Sequence, residues 1–547
     1  MRKHPVALPF LFLTEMWERF GYYLMIGIFT LYMMDTQKGG LGFERGVAYD
    51  IYGTFIALAY LTPFIGGLLA DRLLGFRKSI IIGGTLMGIG YLMLAIPNNL
   101  TTFYLAIFVM ILGNGFFKPN ISTLLGNLYN EDKYRSLKDE GYSIFYMGIN
   151  IGALVCNFVA AYLRNTYGWG YAFAAAGIGM FVGVIVFSTG LKHYKHADVQ
   201  QVKGDPGRSG LAAMLSSVLL PALATGAAAW YLPGNIFGSD SSDAFLFGSI
   251  PVIAFYLWTL MKAAPDEKPR IRALLAVYSV VIVFWAVFKQ NGSALTNWAE
   301  FYTDRSMVPA LETTANFMGA TQKDTLKLGL YPIYDEQFRT TKDPATGKPA
   351  MDSSYHPYFQ NLARSEWPPE GGSVTLLSTE IFQSVNPFFV IVFTPLLIWF
   401  FSWLRKRNRE PSTPGKIGWG LIISALSTLV TVFAVYACHN GAVKASVWWV
   451  VMTYAVITVG ELCLSPMGLS MVSKMAPARL AGLMMGGWQL ATALGNKISG
   501  VLATMWDKYE DKSMFFWVNF ALLAISATAL FIMLPWLKRI FKEAGVK

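Results

Sequence analysis

Two carboxylates and a guanidinium stand together near the start of the chain, in Glu15-Met-Trp-Glu18-Arg19-Phe20. They interrupt an apolar stretch running from Pro5 to Met34. A charge at the centre of a membrane helix costs roughly 2.5–3.5 kcal/mol on insertion scales. A leucine face would pack as well without that cost, so the three read as functional. Glu15 and Arg19 are four apart and share a helix face, with Glu18 one residue from Arg19. Other polar groups recur at comparable depth. Phe117-Lys118-Pro119-Asn120 follows Gly113 and Gly115, and Phe145-Tyr-Met-Gly-Ile-Asn150-Ile-Gly152 carries an amide. Ser384-Val-Asn386-Pro387 carries another, and Gly460-Glu461-Leu-Cys-Leu-Ser465-Pro466 a carboxylate. Each is awkward in lipid and sensible in a water-filled cavity. Asn150 and Asn386, taken singly, also suit helix-packing hydrogen bonds. The five histidines are scattered at loops and ends. No metal cluster, nucleophile motif or phosphate loop is evident, so no catalytic residue, metal or cofactor is assigned.

The elements that must position these residues are membrane helices. The 547 residues are 54% hydrophobic and 14% charged, with a mean hydropathy of +0.43. That composition belongs to an all-α polytopic membrane protein. Apolar runs of spanning length fall near 6–35, 47–70, 78–96, 102–127, 141–163, 170–191, 210–231, 245–263, 270–298, 379–404, 415–438, 446–470, 481–504 and 514–537. Fourteen spans put both ends on one side. Met1-Arg-Lys-His4 resembles a signal-peptide start, but the charges at Glu15, Glu18 and Arg19 spoil an apolar signal core. The segment is read as a retained first helix. Cys156, Cys438 and Cys463 lie in or at the ends of apolar segments and imply no disulfide framework.

Basic residues mark alternate loops, with Arg72, Arg77 and Lys78 after the second span and Lys133, Arg135 and Lys138 after the fourth. Lys192, Lys195, Lys203 and Arg208 follow the sixth, Lys268, Arg270 and Arg272 the eighth, and Arg405 to Arg409 the tenth. Lys474 and Arg479 follow the twelfth, and Lys538, Arg539 and Lys542 the last. The positive-inside rule then places both termini in the cytoplasm. The net charge of +11 is this topological bias and not a nucleic-acid surface. Two six-helix halves are expected, 1–191 and 270–547. Between them, 192–269 holds a linker and two extra spans that pack at the periphery. The expected site lies between the halves near the midplane.

Gly66-Gly-Leu-Leu-Ala-Asp71-Arg72-Leu-Leu-Gly75-Phe-Arg77-Lys78 resembles the cytoplasmic loop motif of the major facilitator superfamily. Its glycines let two helices approach, and Asp71 is placed to cap the next helix. With ExxER in the first span, FYMGIN and FKPN, the chain resembles the proton-dependent oligopeptide transporter family from Glu15 to Thr492. The resemblance implies a proton-coupled importer of di- and tripeptides in the bacterial inner membrane, with no cofactor. It implies proton coupling by Glu15, Glu18 and Arg19. It assigns the peptide carboxylate to Arg19 and Lys118, and the amino end to Glu461 with Asn150 and Asn386. It adds Tyr22, Tyr23, Tyr60, Trp285, Trp488 and Thr492 as pocket positions.

The bottom-up chemistry is compatible. A peptide zwitterion fits a cationic pole (Arg19, Lys118) facing an anionic one (Glu461), through charge-assisted hydrogen bonds to its ends. A transporter of another small anion such as nitrate shares the cationic pole. A non-transporting membrane sensor using the outer insert is the reading from another class.

Two features depart from the family pattern. Where relatives carry an arginine and an acid that pair at the outer gate, this chain has Ile26 and Lys289. Lys289 lies about 28 Å along its span at 1.5 Å per residue. It is expected near the outer face, reaching water, the insert or another carboxylate. The polar segment 303–378 is expected to be extracytoplasmic, either a lid over the cavity mouth or a passive insert.

Overall fold

A computed structural model describes residues 4–69, 74–97, 99–134, 137–198, 215–307, 309–344, 349–477 and 480–544. The long helices are α1 (Leu8–Met34), α2 (Arg45–Leu69), α3 (Phe76–Leu94), α4 (Leu100–Leu128), α5 (Lys138–Tyr167) and α6 (Trp169–Thr189). A shorter α7 (Leu220–Trp230) and α8 (Asp240–Lys262) follow. Then come α9 (Lys268–Phe288), α10 (Phe382–Lys406), α11 (Thr413–Ala437), α12 (Val447–Met475), α13 (Ala481–Thr504) and α14 (Lys512–Glu543). Among the described residues nine helices are long and apolar enough to cross a membrane. The chain is an all-α polytopic membrane protein. Of the residues discussed above, Asp71, Arg72, Arg135, Lys203, Arg208 and Arg479 lie outside the described residues.

Two buried apolar cores form. One gathers residues between Ala7 and Ala197, where α1 packs on α5 and α6, and α3 on α4 and α6. The other gathers residues between Tyr256 and Phe541, where α11 packs on α12 and α14, and α9 on α13. Glycine decides how closely helices meet. A Cβ on Gly66 would lie 2.0 Å from the Gly115 carbonyl oxygen, and one on Gly83 would lie 2.6 Å from that of Gly113. No side chain fits there, so α4 carries Lys118 at a depth fixed by backbone-to-backbone contact.

Asp71, expected to cap α3, lies outside the described residues, and a second carboxylate meets the same helix start. Asp198, from the segment after α6, accepts from the Phe76 amide at 2.8 Å and pairs with Arg77 Nε at 2.6 Å. A carboxylate supplied from across the bundle meets the free amides of the helix start.

The span expected over 270–298 falls within one apolar segment, Lys268–Tyr302, that carries a local irregularity. After Phe288 the chain tightens into a 3-10 turn, Lys289–Gly292, and Ser293 leaves helical geometry at φ −132°, ψ −96°. The segment 303–378 is built from short pieces. β1 (Thr321–Thr325) pairs antiparallel with β4 (Ser373–Leu377), and β2 (Gly329–Pro332) with β3 (Met351–Ser354). Gln37 Nε2 donates to the Leu330 carbonyl at 2.8 Å, and Asn165 Nδ2 to that of Thr321 at 3.0 Å. The insert thus rests on the ends of α1 and α5 over a polar cavity of about 530 Å³.

Candidate functional site

α1 carries the charged trio on one buried face. Arg19 Nη2 donates to Glu18 Oε1 at 2.6 Å, and its Nε donates to Glu18 Oε2. The same Nε lies 3.3 Å from Glu15 Oε1. All three side chains are at most 5% exposed. The other Glu15 oxygen is buried without a hydrogen-bond partner. One turn on, the Arg19 guanidinium sits 5.1 Å from the centroid of Tyr22, which meets Tyr23 edge-on. A fork donor holding one carboxylate at two points and a second at one point can release either when that carboxylate takes a proton.

A second group lies between α4, α2 and the turn after α9. Lys118 Nζ is 3.7 Å from the centroid of Tyr60. Lys289 Nζ approaches the same ring at 5.5 Å, and contacts Trp285 and Phe288 at 5.6 and 5.7 Å. Among the described residues Lys289 thus packs on these rings and pairs with no carboxylate, instead of reaching outward to the insert as expected. Its backbone is still in the helical region (φ −75°, ψ 0°), and its side chain lies back one turn against Trp285. Ile26, the other departure, is buried in the apolar core.

A third group belongs to the second half. Asn386 Nδ2 donates to Glu461 Oε2 at 3.0 Å and to Thr458 Oγ1 at 2.8 Å. Asn386 and Glu461 each lie close to a helix proline, Pro387 and Pro466. Proline removes a backbone donor and leaves a carbonyl free to turn toward a cavity.

Not every sequence-assigned residue joins these groups. Asn150 is buried and donates to the Tyr146 carbonyl of its own helix at 2.9 Å. Thr492 likewise gives its hydroxyl to the Trp488 carbonyl at 3.0 Å. Trp488 packs edge-on against Tyr278 in the second core.

Sequence reasoning overlooked a set of links joining the halves. Lys497 on α13 is fully buried and lies 2.7 Å from Asp50 Oδ1 on α2, with Thr54 and Ser241 hydroxyls at 2.6 and 2.8 Å. Ser239 and Ser242, at the start of α8, also donate to Asp50. The extra helices, expected only at the periphery, thus help hold this pair. Arg45 pairs with Asp507 at 2.6 Å and Arg164 with Glu380 at 3.0 Å. Thr30 donates to the Gly292 carbonyl at 2.9 Å, and Asn157 to Ser384 at 3.0 Å. These links sit toward the insert end of the bundle, where α1 ends and α2 begins. Asp50 and Lys497 stand in apolar spans, so the test that singled out Lys118 would have found them.

Long apolar helices carrying buried opposite charges around their common interface define a polytopic membrane transporter. The POT family model matches residues 77–323 and 372–518. The chain belongs to the POT family. The uncharacterized transporter YclF of Bacillus subtilis is 30% identical, over 98% of this chain and 95% of that protein. The peptide transporter YePEPT of Yersinia enterocolitica is 29% identical, over 91% and 87%. Crystal structures of a peptide transporter POT mutant align over 98% of this chain and 96% of theirs at 27% identity. The complex with sulfate gives a TM-score of 0.77 and that with alafosfalin 0.74.

Proposed function

We propose that this chain is a proton-coupled symporter importing di- and tripeptides across a bacterial inner membrane by alternating access. Its helices form two six-helix halves, 1–191 and 270–547, joined by 192–269 with two further spans. That makes fourteen transmembrane helices in a major facilitator fold. Both termini are cytoplasmic, and the 303–378 insert lies outside.

One observation carries the reading: opposite charges that have no ion-pair partner among the described residues face the interface from opposite halves. Lys118 on α4 rests against Tyr60, while Glu461 on α12 is held by Asn386. A small inorganic anion would use only the first pole. A peptide zwitterion uses both, its carboxylate on Lys118 and Arg19, its ammonium on Glu461. Tyr22, Tyr23, Tyr60 and Trp285 give the site its aromatic walls, with Asn150, Trp488 and Thr492 bracing the helices behind them.

The proton rides on Glu15 or Glu18. The buried Glu15 oxygen without a donor is a place for it, and protonation loosens Arg19 toward the peptide carboxylate. One charge moved through 100 mV is worth about 2.3 kcal/mol, which sustains roughly a fiftyfold gradient. The links between Asp50 and Lys497 and between Arg45 and Asp507 close the outer path. Glu18→Gln is expected to lose gradient-driven uptake while keeping peptide counterflow. Driven uptake at the wild-type level by that variant would remove the coupling role.

A further inference from the structure

We propose that Lys289 is a specificity residue that receives a second carboxylate, so that this transporter favours peptides bearing an acidic side chain. The proposal rests on the peptide-symport reading and names the substrate class that the site selects.

The charges balance in number, Arg19, Lys118 and Lys289 against Glu15, Glu18 and Glu461, so what decides is local pairing. Arg19 is held by Glu18 and Glu15. Lys118 and Lys289 share one face-bearing neighbour, Tyr60, and among the described residues neither has a carboxylate within ion-pair distance. Glu461 is the facing carboxylate, held by an amide and not by a cation. The interface therefore offers two unpaired ammoniums against one unpaired carboxylate. A peptide zwitterion satisfies one of each and leaves an ammonium over. Aromatic faces hold that ammonium in place, but a ring face accepts none of its three N–H groups and the Tyr60 hydroxyl adds at most one acceptor between two ammoniums.

A glutamyl or aspartyl side chain supplies the missing carboxylate. The two ammoniums come from opposite halves, Lys118 from α4 and Lys289 from the turn after α9, and they converge on a ring of α2. A ligand with two carboxylates can therefore bridge the halves on the cationic side as well as across the cavity. A lysyl side chain in the same place meets like charge.

The test uses the full chain in liposomes, with Ala-Glu, Ala-Ala and Ala-Lys competing against labelled dialanine uptake. A charge-assisted hydrogen bond separates the ligands by about 10- to 100-fold. The wild type is expected to bind Ala-Glu at least tenfold more tightly than Ala-Ala, and Ala-Lys most weakly. Lys289→Gln is expected to collapse the Ala-Glu to Ala-Ala ratio toward one, and Lys289→Glu to turn the preference toward Ala-Lys. Equal wild-type affinity for Ala-Glu and Ala-Ala overturns the proposal without needing any variant. A ratio unmoved in Lys289→Gln overturns it as well. Failure of the wild type to take up any peptide refutes the peptide reading itself, and this inference with it.

Discussion

Removing the Asp50 carboxylate tests the proposed role of the Asp50–Lys497 pair in closing the outer path. Lys497 is fully buried, with Asp50 at 2.7 Å as its ion partner and two hydroxyls around it. Asp50→Ala leaves that ammonium with hydroxyls alone. Breaking a buried pair from one side costs about 3–5 kcal/mol. Lysine can escape by giving up its proton, which at pH 7 costs about 5 kcal/mol from a solution pKa near 10.4. The penalty thus has a ceiling close to the same figure. The open state avoids it, because water reaches both groups once α2 and α13 part. The closed-to-open ratio is expected to fall by at least about 100-fold, since 1.4 kcal/mol is tenfold. Spin labels on cysteines placed at the exposed Val47 and Lys508 read the separation, and the three native cysteines are buried. Asp50→Ala should make dominant a longer distance that is a minor one in the wild type. Asp50→Ala combined with Lys497→Met should make it minor again, because no unpaired charge remains. An unchanged distribution in Asp50→Ala, or identical behaviour of single and double variants, refutes the reasoning.

Two further outcomes are expected. Glu461→Gln should weaken binding of peptides with a free amino end at least tenfold, the scale of one charge-assisted hydrogen bond, while N-acetylated peptides change little; equal weakening in a competition assay would mark Glu461 as structural. At the insert end, burial and the nearby Arg305 push the Lys444 ammonium down to about 7. The unfolded chain then binds more protons between about pH 7 and 10.4, so this group makes stability rise with pH across that window. Lys444→Met should flatten the rise, read as melting temperatures in detergent at pH 7 and pH 9; a slope equal to the wild type's would contradict the assignment.

The sequence announced what the membrane makes expensive. Every helix that carries a site residue lies where an apolar run of spanning length predicts it. Glu15, Glu18, Arg19, Lys118 and Glu461 stand out because charge in such a run has a cost. Depth along a helix, however, does not tell which way a side chain points. Lys289 shows this: it lies back along its own helix against Trp285 and across to Tyr60, a direction that its position in the span does not reveal. Asp198 as the cap of α3 was equally hidden, since it sits 122 residues from its partner and its meeting with Phe76 depends on how α3 and α6 pack. Of the insert's described strands only Ser373–Leu377 alternates apolar and polar residues, too short a signal to fix its partner. Their register follows from resting on Gln37 and Asn165 at the bundle's end.

The most direct measurement is uptake of labelled dialanine into liposomes holding the purified full chain, with and without an inward proton gradient. Concentrative uptake with the gradient, equilibration without it, and loss of driven uptake in Lys118→Ala are the expected results. Uptake indifferent to the gradient, or none in either condition, would contradict proton-coupled peptide symport by this chain.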